Sequence, residues 1–125
     1  WPADGRIISK FGRQWNSKLK TTTENPGIDI KGKPGSSIRT VLGGVVTTIT
    51  YIRGYGTTII VDHGGGFYTV YSHVTNIQTN VDSQVRNGDV IAYMGDSGSI
   101  NGSKLHFEIW GKGQKLNPEK WLRKK

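Results

Sequence analysis

Three apolar runs separated by glycine-rich turns constrain the fold of this chain more than any other feature of its sequence. They extend from Val45 to Ile52, from Thr57 to Asp62 and from Phe67 to Val74, and they are rich in Thr, Val, Ile and Tyr. Residues 53–56 (RGYG) and 64–66 (GGG) separate them. β-branched and aromatic residues favour strands, and short glycine-rich segments favour hairpin turns. The pattern predicts an antiparallel meander of three strands.

The rest of the chain continues this pattern. Arg86 to Asp89 (RNGD) reads as a turn before a strand from Val90 to Met94, and Gly95 to Ser103 reads as a loop before a strand from Lys104 to Trp110. Eighteen glycines in 125 residues favour short strands and tight turns over helices. We therefore predict an all-β fold, a sandwich or small barrel of antiparallel sheets.

Two segments fall outside the strand pattern. The polar stretch from Asn16 to Asn25 (NSKLKTTTEN) has no apolar period and is expected to be an exposed loop. Near the end, Asn117 followed by Pro118 predicts one helical turn with Asn117 as its cap. That turn is expected to bury Trp121 and Leu122 and so close the domain.

Length and composition set broad limits on function. A chain of 125 residues predicts a single domain, residues 1–125, and its start at Trp1 without a methionine suggests a piece of a longer protein. The net charge of +8 favours acidic partners but does not by itself predict nucleic-acid binding. The absence of cysteine excludes disulfides, thiolate metal sites and cysteine nucleophiles. No apolar run reaches the roughly 20 residues of a membrane span.

Period-two alternation places one histidine on the polar face of the strand KLHFEIW. Leu105, Phe107 and Ile109 are expected to face the core, so that His106 faces the other side. The same reasoning turns Asp29 away from the core and presents His73 together with Tyr71. These side chains form either a metal or acid–base site or a set of ordinary polar residues. Catalytic zinc normally takes three protein ligands, and only Asp29 and His106 are convincing candidates.

The order of several motifs resembles the LytM or lysostaphin-type zinc peptidase family. The matching segments, from residue 27 onwards, are GIDI, GKPGSSIR, GVV, GYG, VDHG, YSH, VRNGD and LHFE. The resemblance covers nearly the whole chain. It implies antiparallel sheets of the LytM peptidase-domain type with a long groove, which in active members cleaves peptide cross-links of bacterial peptidoglycan.

The resemblance also implies which positions would form a zinc site. The three ligand positions fall on Asn25, Asp29 and His106, and the two assisting histidines fall on Lys104 and His73. Asn25 offers a neutral amide in place of imidazole, and Lys104 brings a cation beside the site. Both changes oppose zinc binding and hydrolysis, so no catalytic residue, bound metal or cofactor is expected. His63, in the segment VDHG, is expected to be structural.

This degenerate pattern is similar to the EnvC-type branch, whose members activate cell-wall amidases. The expected partner is an N-acetylmuramoyl-L-alanine amidase, with peptidoglycan as a further ligand, in the periplasm of the bacterial cell envelope. Segments upstream of the chain would bind division proteins. Tyr71 and Trp110 are expected to anchor the partner. The groove residues expected to contact it are Asn25, Pro26, Asp29, Tyr71, His73, Lys104, His106 and Trp110. The alternatives are a zinc endopeptidase acting on cross-links and a non-catalytic peptidoglycan-binding module.

Overall fold

A computed structural model describes residues 1–96, 99 and 102–123. Strands form most of this part of the chain, as predicted, together with a four-residue helix. The elements, in chain order, are β1 (Arg6–Ser9), β2 (Gly12–Asn16), β3 (Thr21–Asn25), β4 (Ile28–Lys31), β5 (Ser37–Arg39), β6 (Gly44–Ile52), β7 (Gly56–Gly64), β8 (Phe67–Ser72), β9 (Val74–Thr75), β10 (Gln84–Val85), β11 (Val90–Met94), β12 (Lys104–Gly111), β13 (Gln114–Leu116) and α1 (Pro118–Trp121).

A large antiparallel sheet forms the body of the molecule. Its strand order is β1-β4-β12-β8-β7-β6-β10, and β13 pairs with β12 beyond this path. The meander of β6, β7 and β8 confirms the prediction from the three apolar runs. Strand β12 lies between β4 and β8, so that His106 is opposite Asp29 on one side and Ser72 on the other. This register brings together residues that are distant in sequence.

The core lies on the face of β12 that alternation predicted. Leu105 and Phe107 are fully buried and Ile109 is 7% exposed. A smaller sheet, β5-β11-β9, contributes Ile91 and Met94 to the same hydrophobic cluster. The opposite face of β12 is therefore the one on which a groove can form.

The segment from Asn16 to Asn25 is not the loop that its lack of period predicted. Strands β2 and β3 form a two-stranded antiparallel sheet of their own, in which Gly12 pairs with Asn25 and Asn16 with Thr21. At the turn, the Asn16 side chain accepts hydrogen bonds from the backbone N–H groups of Lys18 and Leu19. Most of its residues are exposed, as expected.

The C-terminal turn is partly as predicted. Helix α1 begins at Pro118, and the Asn117 side chain caps it by accepting from the backbone N–H of Glu119 at 3.1 Å. Burial of Trp121 was a wrong prediction, because this side chain is 58% exposed. Its ring is tilted against that of Phe67, with centroids 5.7 Å apart. Leu122 is partly buried. The predicted loop Gly95–Ser103 includes residues 97, 98, 100 and 101, which lie outside the described residues.

None of the helical structure in the described residues has the length and apolarity needed to cross a bilayer.

Candidate functional site

A polar groove of about 290 Å³ lies on the outer face of the large sheet, beside the hairpin formed by β2 and β3. Six of the eight residues predicted to line it do so: Asn25, Pro26, Asp29, His73, Lys104 and His106. Tyr55, from the turn between β6 and β7, also lines it. The groove is thus built by strands β4 and β12, one turn and the base of the hairpin.

A row of ionisable side chains begins in this groove, with Lys104, Asp29 and His106, and continues along β12 to Glu108. His106 Nδ1 is 2.6 Å from Asp29 Oδ1 across the β4–β12 pair, and His106 Nε2 is 2.8 Å from Glu108 Oε2 on the same strand. His106 is 3% exposed and Glu108 is 5% exposed. Because an imidazolium donates from both ring nitrogens, this geometry suits a protonated His106 held between two carboxylates.

The row ends at a lysine beside Asp29 and at a tryptophan and a second lysine beside Glu108. Lys104 Nζ lies 3.4 Å from Asp29 Oδ2. At the other end, Trp110 Nε1 donates to Glu108 Oε1 at 2.7 Å, and Lys115 Nζ is 3.8 Å from the same oxygen. The two carboxylates therefore face three cationic side chains, which compensates much of the charge that the groove buries.

These contacts set the direction of each pKa. Burial alone would lower the pKa of His106, but its hydrogen bonds and charge interactions with Asp29 and Glu108 raise it. Burial would raise the pKa of Asp29, but His106 and Lys104 hold it below its usual value. Burial would likewise raise the pKa of Glu108, but bonds from His106 and Trp110 lower it. Each shift favours the charged form.

The residues present do not fit a zinc ion. Both ends of the Asn25 amide are engaged, since its oxygen accepts from the backbone N–H of Gly27 at 3.0 Å and its nitrogen donates to Ser9 Oγ at 2.9 Å. Both nitrogens of His106 face carboxylates, and the Lys104 ammonium occupies the open side of Asp29. Within residues 1–96, 99 and 102–123, no group of three or more His, Asp or Glu side chains is arranged to hold a metal. Imidazole lone pairs and free carboxylate oxygens are what zinc requires.

Tyr71 does not line the groove, contrary to the sequence prediction. It is fully buried, its ring packs on Phe107 with centroids 5.3 Å apart, and its hydroxyl is 2.8 Å from Thr69 Oγ1. The hydroxyl also accepts from the backbone N–H of Val41. A side chain so enclosed cannot anchor a partner.

Trp110 lies on the predicted face of β12 but beyond the groove. It lines a second cavity of about 240 Å³ with Tyr68 and Lys115, and its ring is 6.3 Å from that of Tyr68. Trp110 is connected to the groove residue His106 through Glu108, to which its indole N–H donates a hydrogen bond.

The sequence reasoning missed the place of Glu108 beside His106 and six residues that line the groove: Ser9, Gln14, Thr23, Glu24, Gly54 and Tyr55. The Tyr55 ring lies over His106, with centroids 4.9 Å apart, and its backbone carbonyl accepts from the N–H of His73 at 2.8 Å. Glu108 is the second carboxylate of the row. Alternation in β12 already placed Glu108 on the same face as His106, so that signal was available, whereas nothing in the turn RGYG indicated where Tyr55 points.

His63 is held within the fold, as predicted. Its Nδ1 lies 2.8 Å from the carbonyl oxygen of Gly43 and its Nε2 lies 2.7 Å from Thr69 Oγ1. His63, near the end of β7, is thus hydrogen-bonded to the loop that precedes β6, and it does not line the groove.

The fold is that of a known class of protein. A zinc-containing peptidase from Vibrio cholerae superposes with a TM-score of 0.85 at 22% identity, over 94% of this chain and 37% of that one, a likeness that concerns the fold. The model of peptidase family M23 matches residues 23–118. The chain belongs to peptidase family M23, which confirms the family resemblance.

Several curated relatives cover almost all of this chain. The murein hydrolase activator EnvC of Escherichia coli (strain K12) is 33% identical over 98% of the chain, and the murein hydrolase activator NlpD of Salmonella dublin is 37% identical over 98%. The DD-carboxypeptidase/endopeptidase Mpg of Neisseria meningitidis serogroup B (strain MC58) is 34% identical over 90%. The matches span 28%, 30% and 26% of these relatives, so the chain corresponds to less than a third of each.

Proposed function

We propose that this domain is a non-catalytic activator of a peptidoglycan-cleaving amidase, which it binds through the degenerate groove to promote septal cell-wall splitting. The observation that carries the proposal is the row from Lys104 through Asp29 and His106 to Glu108. These charges pair with one another at the position where the family resemblance implies a metal site. The similarity to relatives named murein hydrolase activators supports the same function.

The chemistry of the groove side chains supports a non-catalytic role. Peptide hydrolysis at a metal site needs a polarised water and a neutral base beside it. Here His106 is enclosed by two carboxylates and Lys104 provides an ammonium where a neutral imidazole would exchange protons. A groove with these groups can bind a partner's polar surface, and neither His106 nor Lys104 is a neutral base free to activate water.

Activation requires that the groove prefer one state of the amidase. The resemblance implies an amidase held inactive by its own inhibitory helix, so a domain that binds the open form more tightly shifts the population toward activity. The surface available for this is the groove wall formed by Asn25, Pro26, Tyr55 and His73. We place this domain within a longer protein of the bacterial cell envelope, in the periplasm, where the amidase and peptidoglycan meet.

The proposed function is tested by dye release from labelled peptidoglycan, with the domain alone, with an N-acetylmuramoyl-L-alanine amidase of the same source alone, and with both together. We expect release only, or many times faster, in the mixture. Release by the domain alone that a chelator abolishes would overturn the proposal in favour of an enzyme.

A zinc endopeptidase acting on peptidoglycan cross-links is the second candidate. The observation that favours it is the similarity to the Neisseria protein named a DD-carboxypeptidase/endopeptidase. Retention of Asp29, His73 and His106 in one groove is consistent with it. Against it stand the engaged amide of Asn25 and the ammonium of Lys104.

The Tyr55→Ala variant is expected to lower amidase activation at least fivefold, since exposed aromatic side chains at the centre of an interface carry much of its binding energy. Tyr55 is partly exposed over His106 and lines the groove. Tyr51→Ala is the matched control, because Tyr51 is 66% exposed on the neighbouring strand β6 and does not line the groove. Titration of the amidase with each variant in the dye-release assay measures the effect, and equal losses in both variants would contradict it.

A further inference from the structure

The hairpin of β2 and β3 projects from the body of the domain. Its two strands pair only with each other, as a separate two-stranded sheet. Most residues from Arg13 to Glu24 are exposed, and the chain joins the hairpin to the fold at its base, near Gly12 and Asn25. A sheet this small has no core of its own, so its side chains are available to an external partner.

The hairpin exposes two large apolar side chains. Leu19, in the turn, is 69% exposed, and Trp15, near the end of β2, is 63% exposed. Gln14 and Thr23 are opposite each other and line the groove. Trp15 and Leu19 are not among the residues that line it. Neither residue therefore belongs to the surface proposed for the amidase.

Cations surround these apolar side chains. Residues 10–25 contain four basic residues, Lys10, Arg13, Lys18 and Lys20, against the single acid Glu24. In the part of the chain that the structure describes, none of these four cations takes part in an ion pair. Their charge is directed to solvent.

We propose that this hairpin binds a membrane surface of anionic phospholipids, with Trp15 and Leu19 inserted at the headgroup level and the four cations against lipid phosphates. Tryptophan favours the membrane interface, and each cation near an anionic leaflet raises affinity about fivefold. A soluble polyanion would be attracted to the four cations, but it offers no apolar surface against which the exposed Leu19 could be buried. A folded protein would need a cleft to receive this convex tip, whereas a bilayer accepts it without one. The inference does not depend on the proposed amidase function.

Co-sedimentation of the 125-residue chain with lipid vesicles tests the proposal. We expect binding to vesicles of equal parts phosphatidylcholine and phosphatidylglycerol, weakened by salt, and no binding to phosphatidylcholine alone. The double variants Trp15→Ala/Leu19→Ala and Lys18→Gln/Lys20→Gln should each lower affinity at least tenfold. Quenching of tryptophan fluorescence by brominated lipid should fall strongly in Trp15→Ala.

The control for the apolar pair is Trp121→Ala, which removes a tryptophan that is 58% exposed elsewhere on the molecule, and the control for the cations is Lys33→Gln/Lys120→Gln. Both should bind like the wild type. Wild-type protein that does not sediment with anionic vesicles would overturn the proposal, as would hairpin variants that bind as well as the controls. Loss of binding to purified sacculi or to the amidase in the hairpin variants, without vesicle binding by the wild type, would assign the hairpin to those partners instead.

Discussion

The Glu108→Ala variant is expected to have a free energy of unfolding about 3 kcal/mol lower than the wild type, since removal of one member of a buried ion pair leaves the charge of the other less compensated. Glu108 is 5% exposed and accepts from His106 Nε2 at 2.8 Å and Trp110 Nε1 at 2.7 Å. Truncation leaves the imidazolium with Asp29 alone. Urea denaturation of both proteins measures the difference.

The size of this effect should depend on pH. The pKa of Glu108 is lowered, so its stabilising effect is complete above the ordinary value of 4.5 and is lost as the pH falls through the folded-state pKa. The pKa of His106 is raised, so its effect is complete below the ordinary value of 6.5 and is lost as the pH rises through the folded-state pKa. The penalty of Glu108→Ala should therefore be largest between these two values and smaller on either side.

The matched control is Glu119→Ala, which removes an exposed carboxylate from α1 and should change stability by no more than about 0.5 kcal/mol. A penalty at Glu108 that is just as small throughout the pH range would mean that the row is not ionised as its geometry suggests.

Local pattern was sufficient to predict much of the fold. The meander of β6, β7 and β8 and the two faces of β12 follow from alternation and turn composition within short segments. The motif order identified the family, and with it the convergence of Asn25, Asp29 and His106 on one groove. The pairing of β4 with β12, which the residues alone could not specify, is what places Asp29 against His106.

Tyr71 shows where alternation fails. The prediction placed Tyr71 and His73 on one face, but β8 ends at Ser72 and His73 has a φ of 66°, so the alternation does not continue through it. Cross-strand neighbours share a face, and Tyr71 is opposite the core residue Phe107. Positive φ at a residue other than glycine leaves no signature in the sequence pattern.

The β2–β3 hairpin was missed for a different reason. Neither of its faces is buried, so its strands carry no apolar period for the sequence to reveal. Backbone pairing and the turn at Asn16 define it instead. The same lack of burial leaves Trp15 and Leu19 exposed, which is the feature that the membrane proposal uses.

The double variant Asn25→His/Lys104→His is expected to bind one zinc ion at least 100-fold more tightly than the wild type. Both positions line the groove with Asp29 and His106. The first change replaces an amide engaged by Ser9 and Gly27 with an imidazole, and the second removes the ammonium 3.4 Å from Asp29 Oδ2. Together they supply the third ligand and remove a cation that opposes a divalent ion. Isothermal titration with zinc measures the change.

The single variants separate the two contributions. Lys104→His alone removes the repulsion between the ammonium and zinc, but of the three ligand positions only Asp29 and His106 then offer a ligand. Asn25→His alone adds the third ligand but leaves the Lys104 ammonium beside it. Each should bind more weakly than the double variant, since catalytic zinc requires three protein ligands. Zinc must also separate His106 from Asp29, now 2.6 Å apart, so binding should release the proton that their hydrogen bond holds. A double variant with no more affinity for zinc than the wild type would contradict this prediction. The hydrogen bonds of His106 to Asp29 and Glu108, rather than the residues at positions 25 and 104, would then be what excludes the metal.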